Sequence, residues 1–211
     1  MQFFDRVPDN TANIVISPPL EGKKLFVYRF IGHKLKNKEP ILFITTDASP
    51  ETVKQDMVKR KIFFGDAETK GILRFVDCYS HHVGEQKAGT KTVKRVSGPL
   101  ALNEISIAMS GAQKDFVKKH PKHTVIFDSI STMLMYSNPQ AVGRFVQVTI
   151  AKVKKAGGTI FFTLEDGMHK PDVMVTMEHL MNSIIHVKHE KNKLFVKSAG
   201  LDSVDDWTEL K

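Results

Sequence analysis

The sequence predicts an α/β fold: a mostly parallel sheet covered by helices on both faces, with an antiparallel hairpin at the C-terminal side. Three observations predict it. Apolar runs of strand length alternate with segments of helical period through most of the chain. The connections are too long for hairpins until the end, which calls for crossovers between parallel strands. The run at 159–164, TIFFTL, is apolar on both faces, as a strand at the centre of a parallel sheet must be.

In chain order, residues 1–9 form a lead-in whose Phe3 and Phe4 can pack on the domain edge. Residues 13–17, NIVIS, read as the first strand, and Pro18-Pro19 end it because proline cannot continue a central strand. A helix from about Gly22 places Leu25, Phe26, Phe30 and Ile31 on one face and ends in the polar stretch 34–39. Residues 41–45 make the next strand. Ser49 then caps a helix opened by Pro50 that runs to about Lys61.

Residues 73–78 are a further strand, closed by Asp77. Residues 80–98 are polar and glycine-containing, with Lys87, Lys91, Lys94 and Arg95, and read as one long loop. A helix over 102–119 leads to a strand at 124–127 that ends at Asp128. Asn138-Pro139 opens a helix that Gly157-Gly158 stops. After the 159–164 strand come a helix over 171–182 and a hairpin of 184–189 with 193–197. Residues 201–211 read as an acidic, peripheral tail.

The 211 residues suit one domain, 1–211, with its core at about 13–200. No apolar run approaches the roughly 18 residues of a membrane span. The N-terminus MQFFDRVPDN lacks the basic-then-apolar form of a signal peptide. Cys78 has no second cysteine to pair with, which fits a reducing cytoplasm. The net charge of +8 admits attraction to polyanions, or simply a lysine-rich solvated surface. No aromatic residues interleave with the basic ones as a single-strand stacking surface requires.

The chemistry concentrates after the first strand. Strand, loop and helix N-terminus is the arrangement that cradles phosphates on backbone N–H groups. The usual pattern is G-x-x-x-x-G-K-[ST]. This chain has Ser17-x-x-x-x-Gly22-Lys23-Lys24, keeping the second glycine and the lysine. Ser17, Asp47, Asp77, Asp128 and Glu165 all fall at strand ends, where open parallel sheets bind ligands. Each also has a plain reading: a lysine at a helix start, or an acid capping a turn. His81-His82 and His186-x-x-His189 lack the ligand spacing of a zinc site. Cys78 reads as a buried apolar residue, and His169 as a surface-loop histidine or a group facing the site.

The order of motifs resembles the RecA-like ATPases and, within them, the KaiC-like group common in archaea, over about residues 13–200. SPPLEGKKL corresponds to its Walker A loop. LFITTDASPETVKQDM is similar to its strand, acidic pair and Ser-Pro-Glu helix, and FVDCYS to its Tyr-Ser strand ending. HTVIFDSIST resembles its Walker B strand. RFVQVTIAKVKKAGGTIFFTLEDGMH followed by EHLMNSIIHV resembles its closing elements.

The resemblance implies ATP and Mg²⁺, and a homo-oligomer, either a hexamer-like ring or a dimer. It places Ser17, Leu20, Glu21, Gly22, Lys23, Lys24, Leu25, Asp128 and Lys197 at the nucleotide, with Asp128 also toward Mg²⁺. Asp47 and Glu165 stand for the catalytic carboxylates. The departures are specific. Lys24 stands where Ser or Thr would ligand the metal, and an ammonium cannot ligand a cation. Ala48 replaces the second acid of the pair. VKSAG has Ala199 where the family's Lys-x-Arg-Gly has its arginine. The expected function is therefore a KaiC-like protein that binds nucleotide weakly or not at all, lacks efficient hydrolysis and acts as a regulatory or assembly subunit. Two alternatives stand beside it: an ATPase with a remodelled site, and a nucleic-acid accessory protein using residues 87–95.

Overall fold

The structure, a computed structural model, describes residues 3–19, 21–201 and 206–210. Its centre is one sheet in the order β4-β3-β2-β5-β6-β1-β7-β8-β9. The parallel part is built from β1 (Ala12–Ser17), β2 (Ile41–Thr45), β3 (Leu73–Asp77), β4 (Val93–Arg95), β5 (His123–Asp128), β6 (Gly158–Glu165) and β7 (Ser183–Glu190). β8 (Lys193–Ala199) runs antiparallel to β7, and β9 (Thr208–Glu209) antiparallel to β8. The expected parallel sheet with an antiparallel C-terminal addition is what the chain forms.

Side chains alternate across the sheet because successive residues of a strand point to opposite faces. On one face Ile14, Leu42, Ile44, Val125, Phe127, Ile160 and Phe162 form a core. It is covered by α3 (Leu102–Val117), α4 (Ile130–Tyr136) and α5 (Pro139–Lys155), with α6 (Pro171–His179) beside them. On the other face Val15, Ile41, Phe43, Phe75, Ile126 and Phe161 meet Phe26 and Phe30 of α1 (Glu21–Lys36) and Val53 and Met57 of α2 (Pro50–Lys59). Two-sided burial explains why the middle positions of the central strands are mostly apolar, with polar side chains such as Asn13, Thr124 and Thr163 buried among them.

The capping chemistry appears as the sequence indicates. Ser49 accepts the Thr52 N–H at 3.2 Å, and Asn138 accepts the Gln140 N–H at 2.8 Å, each with proline in the first turn. Gly157 takes a left-handed φ of 74° after α5. Four features differ from expectation. The loop at 80–98 contains β4, which pairs with β3. α4 follows β5 directly, a helix too short for its period to stand out. α6 stops at His179 instead of reaching residue 182. The tail adds β9 to the sheet, and its Trp207 lies under Lys188 at 4.6 Å, while residues 202–205 and 211 lie outside the described residues.

Gly200 closes β8 at φ 79°. A Cβ there would stand 2.3 Å from the Asn182 carbonyl oxygen and 3.1 Å from the Ser183 Cα, both backbone atoms. Strain and overlap add, so Gly200→Ala is expected to destabilise the protein by about 2–4 kcal/mol. Urea denaturation measures this, with a shift of the midpoint at constant slope.

Candidate functional site

The C-terminal ends of four adjacent strands, β2, β5, β6 and β1, converge on one cleft. From β1 the chain turns through Pro18 and Pro19 into α1, which begins at Glu21. Gly22 lets that turn close up. A Cβ at Gly22 would be 3.1 Å from Ser17 Oγ and 3.5 Å from the His189 backbone nitrogen, so α1 starts wedged against β1 and β7. One residue on, Lys23 points its side chain back over the strand ends and is only 3% exposed.

Three carboxylates receive it. Lys23 Nζ lies 3.0 Å from Asp128 Oδ1 and 3.6 Å from Asp47 Oδ2, and it hydrogen-bonds Glu165 Oε1. Asp47 follows β2, and Asp128 and Glu165 are the last residues of β5 and β6. Burial works against the ammonium. The charges of Asp128, Glu165 and Asp47 outweigh it and hold the Lys23 pKa well above the ordinary lysine value. Lys23 is therefore a permanent cation inside a ring of acids.

A second layer fixes the acids. Thr163 Oγ1 donates to Asp128 Oδ1 at 2.6 Å. The Thr46 hydroxyl donates to Asp47 Oδ1 at 2.7 Å and accepts the Ser129 N–H at 2.8 Å. Thr132 also donates to Asp47 Oδ1. Ser131 Oγ accepts the Glu165 N–H at 2.9 Å and meets His169 Nε2 at 3.0 Å. Burial lowers the His169 pKa, against an opposing pull from Glu165, so its imidazole stays neutral at pH 7. The Asp128–Ser129 peptide is cis. Thr46, Ser131, Thr132 and Thr163 were absent from the expected site. The hydroxyl run Ser129-Ile130-Ser131-Thr132 after a strand-end acid was the available signal.

The cleft beyond Lys23 encloses about 500 Å³. Lys24, Asp47, Asp56, Arg60 and Glu165 line it, with Pro19, Met135 and Met168 at its mouth. Lys24 makes no ion pair among the described residues.

The other expected residues fall elsewhere. Ser17 is buried beneath Gly22, its hydroxyl on the Pro18 carbonyl oxygen at 3.1 Å. Leu25 packs on the core between α1 and the sheet. Leu20 lies outside the described residues, and Glu21 is the first residue of α1. Lys197 is exposed on β8 opposite His186, two strands from β1 and away from the cleft lining. Asp77 is a strand-end acid of a different cluster. It bonds Arg95, whose guanidinium also reaches Ser80 Oγ at 3.0 Å and Glu51 Oε1 at 2.8 Å. Within the basic loop Arg95 is thus internal, Lys87 pairs with Glu85 at 2.5 Å, and Lys91 and Lys94 are exposed.

The donor set does not suit Mg²⁺ in its present arrangement. Asp128 Oδ1 already receives Thr163 and Lys23, and the ammonium fills the space the three carboxylates share. Among the described residues no group of three His, Cys, Asp or Glu side chains is arranged to hold a metal ion. No helix of the described residues is long and apolar enough to cross a membrane.

Comparison with known proteins agrees with the fold. A family model described as the KaiC ATPase matches residues 2–198. A UPF0273 protein of Pyrococcus horikoshii is 25% identical over 187 residues, covering 86% of this chain and 71% of the relative. A UPF0273 protein of Methanopyrus kandleri is 24% identical over 187 residues, covering 86% and 69%. An uncharacterized Pyrococcus horikoshii protein, whose crystal structure holds an unknown peptide, shares the fold with a TM-score of 0.71 at 14% identity, over 92% of this chain and 84% of that one.

Proposed function

The chain belongs to the KaiC ATPase family, and from that premise we propose that it has kept the family's frame and given up its catalysis, acting as a regulatory or assembly subunit. One observation carries this reading. The lysine that would meet the β- and γ-phosphates is instead the counter-ion of Asp128, Glu165 and Asp47. A triphosphate would have to displace three carboxylates from Lys23 and then lie beside them, unscreened.

The neighbouring positions support the same direction. Lys24 brings a charge where a metal ligand is needed, Ala48 brings no carboxylate, and Pro18 and Pro19 contribute no N–H to a phosphate cradle. Phosphoryl transfer is catalysed by positioning and charge stabilisation, and an arginine finger alone supplies about 10³-fold or more. Ala199 offers none at the family's position.

Titration calorimetry with ATP and Mg²⁺ is expected to give no saturable heat at ligand concentrations of about 1 mM, and a coupled assay no burst or steady turnover. A turnover on the order of 1 s⁻¹ would refute the reading. That result would favour the remodelled ATPase, with Glu165, 3.4 Å from Ser129 Oγ and bonded to Lys23, as the replacement base.

A further inference from the structure

The edge of the sheet opposite the cleft carries a feature that the site does not use. Three helix-to-strand turns lead into β2, β5 and β6, which are neighbours in the sheet. With the last helical residues that lead into them, their sequences are Lys36-Asn37-Lys38-Glu39-Pro40, Lys118-Lys119-His120-Pro121-Lys122 and Lys152-Val153-Lys154-Lys155-Ala156. The turns lie side by side. The Thr124 N–H donates to the Pro40 carbonyl at 2.9 Å, and a Cβ at Gly157 would be 3.6 Å from the Pro121 carbonyl oxygen. Adjacent strands are about 4.8 Å apart, so the three turns span roughly 10 Å.

Lysine in the last turn of a helix is favoured by the macrodipole, which accounts for Lys36 of α1 and for Lys152, Lys154 and Lys155 of α5. It does not account for Lys38, Lys119 and Lys122, which lie past the helix ends. The carboxylates of this edge are already engaged: Asp9 with Lys122, Glu39 with Lys34, and Asp115 with Arg74 and Lys118. Lys36, Lys38, Lys119, Lys152 and Lys155 are exposed and make no ion pair among the described residues. Like charges packed within a Debye length of about 8–10 Å repel one another, and a polyanion relieves that repulsion.

We infer that this lysine edge is a binding surface for the phosphate backbone of a nucleic-acid duplex, read without regard to sequence. The side chains are lysines, which meet phosphates as point charges and do not form the bidentate forks that read bases. The three turns carry no Phe, Tyr or Trp on which a single strand would stack. Val153 within the third turn is buried, and the exposed apolar side chains bordering the turns, Val117 and Phe63 (beside Lys36 and Asn37), are single residues and not a patch that would enter a bilayer interface.

The test is fluorescence anisotropy of a labelled duplex of about 30 base pairs with the full chain, between about 50 and 200 mM salt. With about five phosphates neutralised, affinity is expected to fall roughly 500-fold across that range. The triple variant Lys38→Glu, Lys119→Glu, Lys155→Glu should bind at least about 30-fold more weakly at low salt, with the slope of log affinity against log salt shallower by about 2.7. The corresponding Gln triple keeps the test open if the Glu triple unfolds. Lys87→Ala, Lys91→Ala and Lys94→Ala together should leave binding unchanged. The inference is overturned if no duplex binds at low salt, if the edge variants bind as wild type, or if the loop variant is the one that fails. It is equally overturned if a single strand of the same length, or vesicles of about one-third phosphatidylserine, bind more tightly than the duplex.

Discussion

Lys23→Met should destabilise the protein by about 3–5 kcal/mol at neutral pH, measured by urea unfolding. Lys23 is 3% exposed, and its ammonium contacts Asp47, Asp128 and Glu165. Removing it leaves three carboxylates around an apolar side chain with no cation among them. Their mutual repulsion raises their affinity for protons in the folded variant above that in the unfolded chain. The folded state then binds more protons, so the variant's stability increases as pH falls. In the wild type, Lys23 has a raised pKa, and its contribution holds through neutral pH and is lost only in strongly alkaline solution. The deficit of the variant should therefore shrink between about pH 7 and pH 4. A deficit below about 1 kcal/mol, or one that does not respond to pH, would show that water reaches the acids and that Lys23 is no counter-ion.

Arg95→Ala is expected to have the second large effect, also about 3–5 kcal/mol. The Arg95 side chain is 4% exposed and that of Asp77 is fully buried. Two N–H groups, those of Tyr79 and Ser80, already serve Asp77 Oδ1 at 2.9 Å. Oδ2 depends on Arg95. The same guanidinium donates to Glu51 and to the Ala88 carbonyl at 3.1 Å, so it ties β3 and α2 to the loop before β4. Arg95→Lys should recover only part of the loss, because an ammonium cannot serve those four partners in one plane. The readout is again the unfolding midpoint. Arg95→Ala with wild-type stability would mean that the loop is held by its backbone alone.

The sheet was legible because its signal is strong. Runs such as Ile41–Thr45 and Gly158–Glu165 are buried along their length, and only strands with helices on both sides require that. The caps at Ser49 and Asn138 were legible because they depend on local chemistry. α4 was not, since its seven residues, ISTMLMY, are too few for a helical period to show and follow the strand end at Asp128-Ser129 with neither proline nor a capping side-chain bond to mark them. β4 was hidden because three residues of an edge strand need no pattern of their own. At the site, the grouping of Asp47, Asp128 and Glu165 follows from parallel strands ending at one edge. Which strands adjoin was not written in their order along the chain. Asp77 also ends a strand, but β3 lies two places from β5, where Arg95 claims it. The inward turn of Lys23 follows from the shortness of the β1–α1 connection, which no motif records.

Lys23 belongs to the helix after β1, yet it holds the far ends of β2, β5 and β6. The middle of the sheet is thereby stitched across its strands by one side chain as well as along them by the backbone ladder. Amide protons of Thr46, Ser129 and Glu165, each hydrogen-bonded beside that stitch, are expected to exchange with solvent only when the whole domain opens. A ligand that drew the lysine outward would free three strand ends together, and its arrival would register as faster exchange in the middle of the sheet.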